Sequence, residues 1–247
     1  ICTNFAKLIY NISRLTGFDK KLRLLLFNEI EKIEIAVRCA IVNFGTEMTG
    51  NPFWMTDANN FSNPSKFNRS IRLIEDELNH TKEDFINHFK ETYTNQYPPS
   101  WMLTEILPFG VITNVYSNIK NKKIKKRIAQ SFGLNFPLME SWLHALTIVR
   151  NVCAHHSRFW NRELGVKPAI PKAKKDMVWA TYLNIPNSHM RIAMVLAILH
   201  FFMQRVSPDT SWHKRLFELF DSFPEIDLEA MGLPLNWRDD VFWQVVK

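Results

Sequence analysis

Apolar positions recur along most of this chain at steps of three and four, and almost nowhere at steps of two. The clearest run is Leu22, Leu26, Ile30, Ile33, Val37, Ile41 and Phe44, the stripe of a helix with one packed face. It predicts a long helix over 18–44, ended by Gly45 and Gly50. Ahead of it, a shorter helical pattern over 3–15 closes at Gly17. Residues 51–64, rich in Asn, Pro and aromatics, read as a loop. Helices are expected over 65–80 and 84–93. Pro98 and Pro99 then break the chain, and an apolar helix over 103–119 is interrupted at Pro108 and Gly110.

Six cations stand within 120–127: Lys120, Lys122, Lys123, Lys125, Lys126 and Arg127. They open the next helix. Asn135 followed by Pro137 is a start signal, an N-cap with proline in the first turn, and Gly165 and Pro168 are expected to end the helix that begins there. A Pro- and Lys-rich connector runs to about Asp176, with Lys167, Lys172, Lys174 and Lys175 adding four more cations. Helical patterns follow over 189–206 and 209–223, then a tail rich in Pro, Asp and Trp. Residues 192–203 are apolar all round and should be a buried core helix, too short for a bilayer that needs about 20 residues. The fold expected is all-α and a single domain over 1–247.

Composition changes the picture little. Hydrophobic residues make up 46% and charged residues 22% of the 247, as in ordinary globular proteins, and only 7 Gly disfavours a turn-rich β fold. Three scattered cysteines, Cys2, Cys39 and Cys153, suit reduced thiols in a cytoplasmic protein and offer no metal spacing. No signal peptide is visible, and a chain that begins at Ile1 reads as a piece of a longer one. A net charge of +7 favours a polyanionic partner.

The chemistry concentrates in R-N-V-C-A-H-H-S-R-F-W-N-R, residues 150–162. At about 100° per residue, Asn151 and His155 fall one turn apart on one side of a helix. Arg150, Thr147 and His144 extend that side, and Arg158 and Arg162 join it if the helix continues. The opposite side carries Trp142, Ala145, Leu146, Val149, Val152 and Cys153. His156 projects toward that side and is expected to be packed, so its replacement should cost stability. His155 is the candidate for chemistry. Glu34 and Arg38, at i and i+4 beside the long stripe, can pair, either as a surface salt bridge or facing the Arg150–His155 strip.

This stretch resembles the signature of the Abi-like abortive-infection family, within the HEPN superfamily of all-helical ribonuclease domains. The HEPN pattern is Arg, a polar residue, a short spacer and His; Arg150, Asn151 and His155 match it. The wider R-N-x-x-A-H-H-x-R-x-W-N-R string is far more specific. F-D-K-K-L-R-L-L-L-F-N-E-I-E-K-I-E-I-A-V-R over 18–38 and P-S-W-M-L-T-E-I-L-P-F-G over 99–110 are similar to the family as well. The resemblance covers 1–168 and implies a HEPN-like helical bundle there, with 169–247 as a C-terminal helical extension.

Several enzyme classes drop out, since there is no Gly-rich phosphate loop, H-E-x-x-H, C-x-x-C or G-x-S-x-G. What remains is attack on RNA by its own 2′-hydroxyl, with no metal and no cofactor. Histidine titrates near 6.5 and can act as base or acid; arginine grips phosphate oxygens with a permanent charge. The expected catalytic set is Arg150, Asn151 and His155. Arg158, Arg162, His144, Glu34, Arg38, Lys122, Lys123, Lys125 and Lys126 would support it or bind RNA. One chain offers one suitable imidazole, so a homodimer is expected, in line with the family's composite site. RNA is the partner, with a possible antitoxin or phage-derived trigger. A non-catalytic RNA-binding module and a purely dimeric interaction module remain the alternatives.

Overall fold

A computed structural model of the chain describes residues 2–172, 178–184 and 190–244, with side chains from residue 9 onward. Lys174, Lys175, Asp176 and His189 lie outside the described residues. The fold is all-α. In chain order the helices are α1 (Cys2–Thr49), α2 (Pro64–His80), α3 (Asp84–Thr92), α4 (Ser100–Ile106), α5 (Phe109–Asn118), α6 (Lys122–Ser131), α7 (Phe136–Ala154), α8 (Ile192–Val206), α9 (Trp212–Asp221) and α10 (Val241–Gln244). Among the described residues no strand forms, only one isolated bridge between Phe61 and Ile119.

The two helices expected at the N-terminus are one. α1 runs unbroken for 48 residues, about 72 Å at 1.5 Å per residue. Gly17 does not stop it, because a glycine inside a helix costs only about 1 kcal/mol. The buried residues Phe18, Leu22, Leu26, Ile30, Ile33, Val37 and Ile41 each return about 1.5–3 kcal/mol. Gly45 does not stop it either. Its missing side chain makes room for Trp54, whose indole would lie 2.2 Å from a Cβ placed there. The stop is Gly50, at φ 66 with its N–H on the Thr46 carbonyl at 2.9 Å.

The chain forms two compact units, 1–33 with 145–247, and 34–144. Residues 169–247 therefore share a unit with the beginning of α1. In that first unit α8 is buried from Ile192 to Met203. Glu29 of α1 is wholly buried and accepts hydrogen bonds from Arg215 of α9 at 2.6 Å and from Lys32 at 3.0 Å. Phe18 packs edge-on against Phe220 and Phe223, at 5.4 and 5.5 Å between ring centres. Arg14 grips Glu225 at 2.6 Å.

In the second unit, the break between α4 and α5 falls at Pro108, which caps α5. Asn118 stitches the loop before α2: its carbonyl accepts from Ser62, its side-chain oxygen from Asn63, and its amide donates to the Asn63 carbonyl, all at 2.9–3.0 Å.

His200 of α8 is buried in the first unit among Trp212, His213, Phe242 and Trp243. Burial, reinforced by His213, pushes its pKa down to about 4. The unfolded chain takes this proton near 6.5, the folded chain only near 4, so stability should fall as pH drops through that window. A loss of about 2 kcal/mol by about pH 5 is expected from this group. Urea midpoints across the window check it, and His200→Gln should flatten the dependence.

Candidate functional site

α7 starts where the sequence places it. The Asn135 side chain accepts the N–H of Leu138 at 3.0 Å, and Pro137 sits in the first turn. Its end is earlier than expected. The last helical residue is Ala154, and the chain closes there in a Schellman turn. His155 donates its N–H to the Asn151 carbonyl at 3.0 Å, His156 to Cys153 at 3.2 Å and Ser157 to Val152 at 3.1 Å.

His156 occupies the left-handed position of that turn, at φ 54, where glycine is usual and histidine tolerated. Two expectations are overturned. His156 is exposed rather than packed on the apolar side. Arg158 and Arg162 do not extend the helical strip, since they belong to the segment beyond the turn; both are exposed.

The segment after the turn is fixed by residues that sequence reasoning missed. Asp19 of α1 is buried. One of its oxygens accepts the consecutive backbone N–H groups of Phe159 at 2.8 Å and Trp160 at 2.6 Å. The other pairs with Arg23, whose guanidinium also reaches the Ser157 carbonyl at 3.4 Å. The Phe159 ring is fully buried. A left-handed non-glycine residue costs about 1–2 kcal/mol, whereas a hydrogen bond to a charged acceptor returns about 1.5–3 kcal/mol. Two of them suffice to hold the turn.

At the end of α7, Asn151 and His155 are exposed, one turn apart. Arg150 is half-buried, its guanidinium 5.6 Å from the centre of the Phe27 ring on α1. Cys153, between Asn151 and His155 in sequence, is buried, and burial pushes its thiol up to about 12. It is therefore protonated at neutral pH.

These residues lie inside the part of the chain that is similar to known proteins. The family model described as Abi-like protein matches residues 4–161. The chain belongs to the Abi-like protein family. No curated protein and no solved structure matches it. In this Abi-like chain the matched stretch takes in both Asp19 and the 157–160 segment that Asp19 holds.

The other candidate residues fall in the second unit. Glu34 and Arg38 form the anticipated ion pair, largely buried. His144 is exposed. On α6, Lys122, Lys123 and Lys126 are exposed, as is Lys120 just before it. Lys125 is not a surface cation. It is buried, paired with Glu140 and donating to the Ser117 carbonyl at 2.8 Å. The periodicity explains this, because Lys125 follows Ile124 on the face that Ile128 and Ala129 bury. Among the described residues no group of three or more His, Cys, Asp or Glu is placed to hold a metal ion.

Two outcomes are expected here. His156→Gly should raise stability by about 0.5–1 kcal/mol, the relief of the left-handed strain less the entropy that glycine adds to the unfolded chain. Denaturant titration measures it; a loss of stability would mean the imidazole makes an interaction worth more than the strain. Replacing Lys122, Lys123 and Lys126 by Gln should leave stability within about 0.5 kcal/mol for each, since all three are exposed. Replacing Lys125 should lower the melting temperature instead, by stranding Glu140.

Proposed function

We propose that this Abi-like protein is a metal-independent endoribonuclease acting in abortive infection, a defence against phage, with a site of the HEPN type. One observation carries the reading: His155 stands exposed at a fixed helix end, with Asn151 one turn behind it and Arg158 three residues ahead. An imidazole in that place can take the 2′-hydroxyl proton or return one to the leaving 5′-oxygen. Arg150 and Arg158 supply permanent charge for the phosphate oxygens, and Asn151 supplies a neutral donor. The exposed lysines of α6 would gather the RNA.

In-line displacement calls for an acid and a base on opposite sides of phosphorus; His156 is exposed as well, but it occupies the left-handed position of the turn, and one chain offers one imidazole a helical turn from Asn151. A two-fold pair of chains, bringing the ends of two α7 helices together, offers two. The products are then a 2′,3′-cyclic phosphate and a 5′-hydroxyl. The partners this reading names are RNA, a second copy of the chain, and an antitoxin or phage-derived trigger.

Incubating the pure protein with total RNA in EDTA, followed by end-group analysis, should yield those termini. His155→Ala should abolish cleavage and leave the melting curve cooperative, since an exposed side chain leaves no core cavity. A mixed dimer carrying one His155→Ala chain should lose nearly all activity. Half activity would mean that each chain works alone, and the composite site would have to be given up. RNA bound but never cut would favour a binding module.

A further inference from the structure

We propose that Asp19 is the positioning residue of the RNA-cleaving site, holding His155 in place through the backbone of 157–160. The inference rests on the ribonuclease reading for its substrate, and on geometry for the rest. His155 is followed at once by a residue in the left-handed region, His156 at φ 54. Left to itself a non-glycine turn of that kind opens easily, and the imidazole before it would sample many directions. Here the chain is caught again three residues on. The buried carboxylate of Asp19 takes two successive N–H groups, of Phe159 and Trp160, on a single oxygen at 2.8 and 2.6 Å.

Arg23, one turn along α1, neutralises the other Asp19 oxygen and touches the Ser157 carbonyl at 3.4 Å. Thus His155 lies between two fixed points, the end of α7 and the carboxylate. The clamp reads backbone rather than side chains, so it leaves the imidazole and the guanidinium of Arg158 unengaged by Asp19 and open to a ligand. A carboxylate that served only to fill the core would need no pair of amides aimed at it. An apolar residue would fill the same space without the burden of a buried charge.

Positioning has a kinetic signature. Misplacing a catalytic group by about 1 Å costs roughly a hundredfold in the chemical step, while substrate still binds to the exposed cations. Asp19→Asn keeps the shape but sets an amide against Arg23. In the full chain it should lower kcat at least tenfold and leave KM for RNA within about threefold. Hydrogen exchange at the Phe159 and Trp160 amides should accelerate. Adding His156→Gly, which stabilises the turn by itself, should recover part of the lost kcat. Should Asp19→Asn fail to fold, Arg23→Gln leaves both amide bonds in place and should give a smaller fall in kcat with the same KM.

Accelerated exchange with kcat unchanged would overturn the proposal, as would a loss confined to KM. If the wild type cuts no RNA, the ribonuclease reading fails by itself. The clamp is then decided by the His155 imidazole resonances of the labelled protein: a shift in Asp19→Asn upholds it, and unchanged resonances overturn it.

Discussion

The carboxylate of Asp19 is the constraint on which the conformation of the whole signature stretch depends. A helix end exposes carbonyls that need donors, and a chain leaving it needs a direction. α7 solves the first need with its own backbone, by the Schellman bonds to Val152 and Cys153. The second is solved from outside, by a charge on α1. Because that charge is buried, its hydrogen bonds are little weakened by water. Because Arg23 pairs with it, its burial does not leave an uncompensated ion.

Glu29 repeats the device ten residues further along α1, where it holds Arg215 of α9. Both carboxylates stand beside the apolar stripe, and each recruits a distant part of the chain to the first unit. Apolar packing gives that unit most of its free energy, but packing is indifferent to register. Two buried carboxylates, Asp19 bonded to the Phe159 and Trp160 amides and Glu29 bonded to Arg215, specify which segment of the later chain lies against which turn of α1. α8, apolar on every side, could seat in several ways; α9, tied through Arg215, has fewer.

The helices are legible in the sequence because each buries a face, and a buried face writes its period into the chain. The stripe from Leu22 to Ile41 is buried as its spacing predicts, and the Asn135 cap and the Pro108 break fall where those residues require. The errors have physical causes. Gly17 and Gly45 read as stops because glycine more often ends a helix than continues one, yet the second marks the close approach of Trp54. The end of α7 is not legible, because histidine rather than glycine occupies the left-handed position. A helix extended past that point turns His156 inward and places Arg158 and Arg162 on the strip, and both consequences are wrong. Asp19 and Arg23 stand in the run over 18–38 that resembles the family, but nothing in that run says what they hold. Only the partner segment, 140 residues away in sequence, gives them meaning.

Counting charges misleads in a similar way. The run 120–127 holds six cations, but Lys125 is turned inside to Glu140, and Arg127 lies over the Phe44 ring at 5.3 Å. Lys120, Lys122, Lys123 and Lys126 remain exposed. Arg38 is likewise committed to Glu34. Long-range attraction depends on every charge within about a Debye length, roughly 10 Å at ordinary salt, whether or not it is paired, but a paired cation and its anion largely cancel. On the ribonuclease reading proposed above, the cations left exposed and unpaired by acids would set how an RNA is gathered, and the exposed imidazole at the end of α7 would set what is done to it. Gathering tolerates flexible lysines, since a phosphate backbone offers a charge at every step. Proton transfer does not tolerate a flexible imidazole, because it requires hydrogen-bond reach to one oxygen. The chain accordingly places its buried carboxylate behind the segment around His155 and leaves the exposed lysines of α6 without such a support.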